Sequence, residues 1–432
     1  MLTRGATVDL AVDKPAAGGR MIARHEGQVV LVSGAIPGER VRAHVDRVER
    51  SVAYAETVAV LQPSPDRRPA GGDPACGGSV YAHVAYDRQL ALKGEILVDA
   101  FRRIAKLVVQ EPVPVEPSTE TGYRMRARLH VRDGRLGFFR EGSHELCDAA
   151  ATGQLLPETG WVLGEVASAL AELRARNVAS IEVAENIPGD QRALHLELRS
   201  EPGVPPGAFG VLARLAGVTG VTCLAPPGRD LLVLGGRPRV VDPISAIVGT
   251  AAGGMAGAVL GRRATAFFQA NRYLLPTLVS RVVSHVPEGP VVDLYAGVGL
   301  FAVSLAACGR APVVAVEGDR ASGADLVENA KPFHDRLRVE RGAVEGFLRA
   351  GPGTSAETLL VDPPRSGMSR EAMAGIAARG ARRIVYVSCD VATLARDTRR
   401  LVDAGYVLSH LEAFDLFPNT AHVESLAVLD RR

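Results

Sequence analysis

The sequence has no run of about 18 uncharged apolar residues, so it offers no membrane-spanning helix. Its opening stretch, MLTRGATVDLAVDKP, lacks the long apolar core of a secretory leader, and the expectation is a cytoplasmic chain. Cysteine is scarce. Cys76, Cys147, Cys223, Cys308 and Cys389 are odd in number and widely scattered, which argues against a disulfide framework and leaves each to be judged alone. A strong charge of one sign is also missing: 50 Lys and Arg against 48 Asp and Glu leave +2, so any surface for nucleic acid must be local. Lysine is confined to Lys14, Lys93, Lys106 and Lys331, with arginine supplying the rest. A GC-rich genome explains that bias most simply, although guanidinium groups also grip phosphates in a bidentate fork, and only clustering separates the two explanations. What is present, 47% hydrophobic and 23% charged residues over 432 positions, describes a globular protein of two or three domains rather than a disordered chain.

From Val8 to about Val60, short bursts alternate apolar and polar residues (QVVLVSG, ERVRAHVDRV, VAYAETVAVLQ), broken by glycine and by Pro37-Gly38. This predicts a small OB-like β-barrel over 1–62. PSPDRRPAGGDP then reads as a linker. In YDRQLALKGEILVDAFRRIAKL, Leu90, Ile96, Leu97, Phe101 and Ile104 recur at helical spacing. Short strands mixed with helices such as WVLGEVASALAELRARN give an α+β middle domain over 63–255. Past the glycine-rich GTAAGGMAGAVLG, repeated strand, glycine turn and helix imply a doubly wound α/β sheet over 256–432.

One stretch does cluster its charge. In YRMRARLHVRDGRLGFFR, six arginines face only Asp133, and alternation puts Arg124, Arg126 and Arg128 on one face of a strand, with Phe138 and Phe139 close by. Cations beside aromatic rings suit single-stranded nucleic acid, where rings stack on bases and guanidinium groups track phosphates. A solvated strand face in an arginine-rich chain produces the same pattern.

GPVVDLYAGVGLFAVSLAACG is an apolar strand, a turn containing Gly297 and Gly299, and a helix. Glycine is needed where the backbone turns sharply and a ligand approaches it. Glu317 ends the next strand, placed to accept from ribose hydroxyls. A nicotinamide cofactor makes the same demands. The third glycine of a dinucleotide turn is missing, however, with Phe301 and Ala302 following Leu300, so S-adenosylmethionine, an adenosyl ligand without phosphates, fits better. Asp362, fixed by two prolines in LLVDPPRSGM, ends another strand and should lie beside the cofactor.

Cys389, in IVYVSCDVATLARD, sits at the carboxyl end of a β-branched strand, where the following helix is expected to lower its pKa and raise the thiolate fraction. Cys223 and Cys308 lie among small or apolar residues and read as packing. In FPNTAHVESLAVL, Glu424 precedes an apolar strand; a carboxylate so enclosed can hold a raised pKa and act as a base, and a strand-end charge is the plainer explanation.

FFQANRYLLPTLV, DLYAGVGLFAVSLA, LLVDPPRSGM, VYVSCDVATLARDTRRL and FPNTAHVESLAVL occur in that order. Together they resemble the RNA uracil-C5 methyltransferase family, class I enzymes that make 5-methyluridine in transfer or ribosomal RNA with S-adenosylmethionine. The barrel resembles the TRAM domain, an RNA-binding module of many members. The likeness covers nearly the whole chain and is strongest from Phe267 onward. It implies a Rossmann-like methyltransferase domain, Cys389 as nucleophile, Glu424 as base, and Gln269, Tyr295, Glu317 and Asp362 at cofactor-contacting positions. By the same likeness, the helix at 87–110 packs on the catalytic domain.

In such a mechanism the thiolate adds to uracil C6, activates C5 towards the methyl donor, and is expelled once the base has taken the C5 proton. The target uridine must be unpaired or flipped. Members with an iron–sulfur cluster carry four cysteines where this chain has Ala70, Cys76, Ser79 and Thr152, with Cys147 offset, so no cluster is expected. RNA cytosine-C5 methylation and a catalytically idle RNA-binding protein are the alternatives. The TRAM-like barrel tilts the expectation to 23S rRNA over tRNA. No membrane partner is expected, and a monomer is the default.

Overall fold

In a computed structural model that describes residues 2–73, 75–140, 143–200, 203–224, 231–255, 257–351 and 357–432, the first five strands close a barrel. They are β1 (Thr7–Pro15), β2 (Met21–His25), β3 (Gln28–Ser33), β4 (Arg40–Glu49) and β5 (Val52–Gln62), in the order β1-β2-β3-β5-β4. Alternation explains the closure: Val41, Ala43 and Val45 of β4 point inward with Val30 and Val32 of β3, while Arg40 and Arg42 face out. Residues 63–74, expected to be a linker, are fastened to their surroundings. Arg67 forks onto the buried Glu39 carboxylate at 2.6 and 2.7 Å, and Arg68 holds Glu120 and Asn419. The last residue of that stretch, Pro74, lies outside the described residues.

Helix α1 (Tyr86–Ala100) follows and runs into a single π turn at Phe101–Ala105. Ile96, Leu97 and Phe101 are buried as the spacing predicts, but Leu90 is half-buried and Ile104 is exposed. The wide π turn rotates Ile104 off the buried face. Near Leu90 that face instead carries Gln89 and Lys93, both fully buried and both satisfied: Gln89 donates to the carbonyls of Tyr81 and Val84, and Lys93 binds Asp415 and the carbonyl of Phe417. A two-residue strand, β6 (Val115–Glu116), comes next.

Strands β7 (Arg126–Arg132), β8 (Arg135–Phe139), β9 (Leu146–Asp148), β10 (Val178–Glu185), β11 (Arg192–Leu198), β12 (Val218–Leu224) and β13 (Leu231–Gly236) form a seven-stranded sheet ordered β13-β12-β11-β10-β7-β8-β9. Helix α2 (Pro157–Glu172) covers it through Val162, Leu163, Val166 and Leu170. A two-stranded ribbon, β14 (Arg239–Pro243) and β15 (Val259–Arg263), leads onward around α3 (Ile244–Val248). The boundary expected at 255/256 falls on Ala256, outside the described residues.

The remaining chain alternates α4 (Leu275–His285), β16 (Val291–Leu294), α5 (Leu300–Ala307), β17 (Val313–Glu317), α6 (Arg320–Ala330), β18 (Leu337–Arg341), α7 (Val344–Arg349), β19 (Thr358–Val361), α8 (Arg370–Arg379), β20 (Arg383–Ser388) and α9 (Val391–Asp403), and ends in β21 (Tyr406–Phe414) and β22 (Glu424–Arg431). Their sheet is ordered β18-β17-β16-β19-β20-β22-β21-β6. Strands β16 to β20 run parallel, and the central β16, β19 and β20 are predominantly apolar because both of their faces are covered, whereas the edge strand β18 (LRVER) is largely polar. One face packs Leu275, Leu278, Phe301 and Leu326 from α4, α5 and α6; the other packs Met373, Ile376, Leu394 and Leu401 from α8 and α9, together with Leu97 of α1 and Phe101 of the π turn. Each such side chain contributes roughly 1.5–3 kcal/mol on burial. The fold is therefore multi-domain: an OB-like barrel, an α+β sheet and a doubly wound Rossmann-like unit.

Candidate active site

The strand order reverses between β16 and β19, and in open α/β sheets ligands bind in the crevice at such a switch point. Tyr295, Gly297 and Gly299 make the turn after β16, and Asp362 leaves β19. Tyr295 (φ 63), Gly297 (φ 58) and Gly299 (φ 95) all adopt left-handed backbone, costly for Tyr295 and free for the glycines. A Cβ on Gly299 would stand 2.7 Å from Leu326, whereas one on Gly297 would meet nothing within 4 Å, so Gly297 borders open space. Glu317 ends β17; its two oxygens accept from the backbone N–H of Gly297 at 2.7 Å and of Asp319 at 2.5 Å, with a lone pair left on each. Gln269 is buried and donates to Asp362 at 3.4 Å. Hydrogen bonds thus join Gln269 to Asp362 and Glu317 to Gly297 at the carboxyl ends of β16, β17 and β19, where Tyr295 and Gly299 also lie.

Cys389 follows β20, and Glu424 opens β22 on the adjacent antiparallel strand. Burial, reinforced by Glu424 and Asp362, pushes the thiol up to about 11, opposed by Arg365. This corrects the expectation of a lowered thiol pKa. Cys389 lies outside the helix, before its N-cap, and Asp390 places a carboxylate on the positive end by accepting from the backbone N–H of Thr393 at 2.8 Å. Glu424 is fully enclosed; burial and the charge of Asp362 hold it well above the ordinary carboxylate range, and its Oε1 has no hydrogen-bond partner. Asp362 is raised to about 7 by its enclosure.

Cys389 opens onto a cleft of about 460 Å³ that also draws on other parts of the chain. Ala17 and Gly18 come from the β1–β2 loop of the barrel, Gly77 and Gly78 from the loop between residue 74 and α1, Phe138 and Phe139 from β8, and His422 from the loop before Glu424. Arg124 lines the cleft as well, its guanidinium held by Gln154 at 2.6 Å and lying 5.4 Å from the Phe138 ring. Arg124 precedes β7 and does not join the alternating face. Arg126 and Arg128 are on that face, and there they pair with Glu182 on the adjacent β10 and Glu197 on β11, the next strand over, away from the cleft. Two of the six arginines of this stretch are thus neutralised within their own sheet.

Sequence reasoning missed several groups here. Arg365 is signalled only by its place after the double proline. Asp293, the penultimate residue of β16, is fully buried, with one oxygen accepting from the Ala302 N–H at 3.0 Å and the other without a hydrogen-bond partner. The structure also joins Cys76 to Cys147 in a disulfide, correcting the expectation that each cysteine stands alone. Cys76 bridges Arg140 at the end of β8, and Cys147 pairs with Phe138 on β9, which brings the two Cα atoms to 5.8 Å. No sequence spacing announces that proximity.

The chain is similar to known proteins along its whole length. The family model described as tRNA (uracil-5-)-methyltransferase matches residues 353–432, and the TRAM domain model matches residues 2–58. A protein from Alkalilimnicola ehrlichii named 23S rRNA (uracil(1939)-C(5))-methyltransferase RlmD is 34% identical, covering 96% of this chain and 94% of its own length. An uncharacterised RNA methyltransferase from Streptomyces coelicolor is 32% identical over 99% of this chain and 93% of its own. Among solved structures, the Pyrococcus abyssi tRNA (uracil-54, C5)-methyltransferase in complex with S-adenosyl-L-homocysteine superimposes with a TM-score of 0.74 at 22% identity, covering 97% of this chain and 99% of that one.

Proposed function

Since the chain belongs to the RNA (uracil-C5-)-methyltransferase family, S-adenosylmethionine-dependent enzymes here carrying an N-terminal TRAM domain, we propose that it methylates C5 of one specific uridine in 23S ribosomal RNA through Cys389 and Glu424. The observation that carries the reading is the cleft itself: a thiol at its floor, a carboxyl on the adjacent strand, and walls from both the barrel and the middle sheet. The preference for ribosomal RNA is supported by relatives at 34% identity over nearly the full chain that are named for 23S rRNA.

Gln269, Tyr295, Gly297, Gly299, Glu317 and Asp362 are the residues that would hold S-adenosylmethionine: Gly297 leaves room for it, and each Glu317 oxygen keeps a lone pair for ribose hydroxyls. When bound, the cofactor supplies the electrophilic methyl group that C5 receives. Cys389 adds to C6 as a thiolate, forming the S–C6 bond and moving the C5–C6 π pair into an enolate that makes C5 nucleophilic. Arg365 is the cation that favours this thiolate. After methyl transfer Glu424 takes the C5 proton, the C5–C6 double bond re-forms, and the S–C6 bond breaks. Glu424 must itself be ionised for this step, and a positive charge entering the same enclosure lowers its pKa. Arg124, Phe138 and Phe139 line the path to Cys389 and are the RNA contacts we favour; Arg126 and Arg128 are removed from that list by their ion pairs. A four-thiolate cluster does not fit the donor set, because Ala70, Ser79 and Thr152 carry no thiol and Cys76 is bonded to Cys147.

Incubation with 5-fluorouridine-containing 23S rRNA fragments and cofactor tests the reading. Fluorine cannot leave as a proton, so a covalent protein–RNA adduct should accumulate with the native chain and not with Cys389→Ala. Equal trapping by the variant would sink the mechanism, and nucleoside mapping of rRNA from a deletion strain checks the substrate.

A further inference from the structure

On the face of the catalytic sheet covered by α4, three metal-ligating side chains converge away from the cleft. His285 is the last residue of α4, and His410 and Glu412 lie two apart on β21, hence on one face of that strand. An irregularity in register between Leu408 and His410 sets their direction. His410 Nε2 stands 3.1 Å and His285 Nε2 3.9 Å from the same oxygen, Glu412 Oε1, and the two imidazole rings are 4.5 Å apart. All three ligand atoms fall within 4.8 Å of one another.

We propose that His285, His410 and Glu412 form a binding site for a borderline divalent transition-metal ion, with zinc as its representative. Ligands at about 2.0–2.2 Å around a tetrahedral ion sit roughly 3.3–3.5 Å from each other, and the two measured separations bracket that span. His410 Nε2 and Glu412 Oε1 are both buried and neither has a hydrogen-bond partner, so their 3.1 Å approach is not a bond to each other. Two unpaired polar atoms aimed at a common point are costly unless something occupies it. The other Glu412 oxygen faces Arg281 at 3.7 Å, an outer contact that orients the carboxylate and leaves Oε1 free. Both histidines are partly exposed, so water completes the coordination. None of the three residues lines the Cys389 cleft. A metal here would clip the end of α4 to β21.

Cobalt(II) titration of tag-free, chelator-stripped full-length protein tests the site. One equivalent should bind with visible d–d bands and without the near-ultraviolet thiolate bands that Cys389, Cys223 or Cys308 would give. Affinity should fall at least about 100-fold in His410→Ala and in the milder, partly exposed His285→Gln. Zinc at about 100 times its dissociation constant should raise the native Tm by about 5–11 °C and leave the His285→Gln Tm nearly unchanged. Absence of binding, thiolate bands, or affinity that survives both substitutions would overturn the proposal.

Discussion

Cys389 and Glu424 stand across from each other, one step beyond Ser388 and Ser425, the last register pair of β20 and β22. Directly opposed residues on antiparallel strands interact strongly, so the charge of one bears on the ionisation of the other.

Replacing Glu424 with Gln removes that charge. The apparent pKa for alkylation of Cys389 by iodoacetamide should fall from about 11 towards that of an ordinary thiol, while turnover drops by about 10²–10⁴-fold. With ordinary RNA and cofactor, a covalent complex should become visible by mass spectrometry, because the proton needed for elimination stays on C5. An unchanged alkylation profile would mean the two side chains do not communicate.

Arg365→Gln is expected to act in the opposite sense on the same thiol. Loss of the guanidinium removes both a hydrogen bond and a favourable charge, so alkylation at fixed pH slows, and kcat/KM falls by about 10–100-fold. A pH–rate profile shifted to higher pH identifies the cause as thiolate formation.

Asp362 has a folded-state pKa near 7, above its unfolded value, so its contribution to stability is complete below about pH 4 and is lost as pH rises through 7. In the ligand-free protein, Asp362→Asn should flatten this decline and raise Tm at pH 8 by a few degrees (about 2–4 °C per kcal/mol in domains of this kind). The same variant should bind S-adenosylmethionine at least about tenfold more weakly. If native and variant Tm values track each other from pH 5 to 8, the raised pKa is wrong.

Phe139→Ala and Arg126→Ala separate the cleft from the strand face. Phe139 lies in the cleft wall, and loss of one stacked base costs about 1–3 kcal/mol, roughly 5–150-fold in RNA affinity. Arg126, already paired with Glu182 at 2.8 Å, should change affinity less than about threefold at physiological salt. Filter binding at two salt concentrations distinguishes them.

Gly19 sets how the barrel meets the catalytic unit. A side chain there would place Cβ 2.8 Å from Val80 and 3.2 Å from Ala421, in a backbone conformation (φ 92) that suits glycine. Gly19→Val should therefore displace the β1–β2 loop and raise the KM for RNA about tenfold, leaving cofactor affinity intact by calorimetry.

Much of this was legible along the chain because local signals agreed with the fold. Period-2 alternation marked the barrel, and glycine and acid positions at strand ends marked the crevice. The unread parts depended on partners distant in sequence. Arg126 and Arg128 read as free cations because Glu182 and Glu197 lie more than fifty residues away. Gln89 and Lys93 broke the apolar stripe of α1 because their partners, Asn419 and Asp415, come from the far end of the chain. The rise in the Cys389 pKa likewise required knowing which carboxyls face it.

The passage of α1 and β6 across to the catalytic sheet limits how this protein can be divided. A fragment beginning at residue 257 would hold the five ordered motifs from Phe267 onward and both Cys389 and Glu424, yet it would leave the apolar faces of α9 and β21 wet. It would also strand Asp415 as a buried carboxylate without its ammonium partner, a loss of about 3–5 kcal/mol. Deletion or transplantation of the methyltransferase unit has to carry residues 80–118 with it, and the amino-terminal third of the chain is part of the enzyme's core as much as it is an RNA-binding appendage.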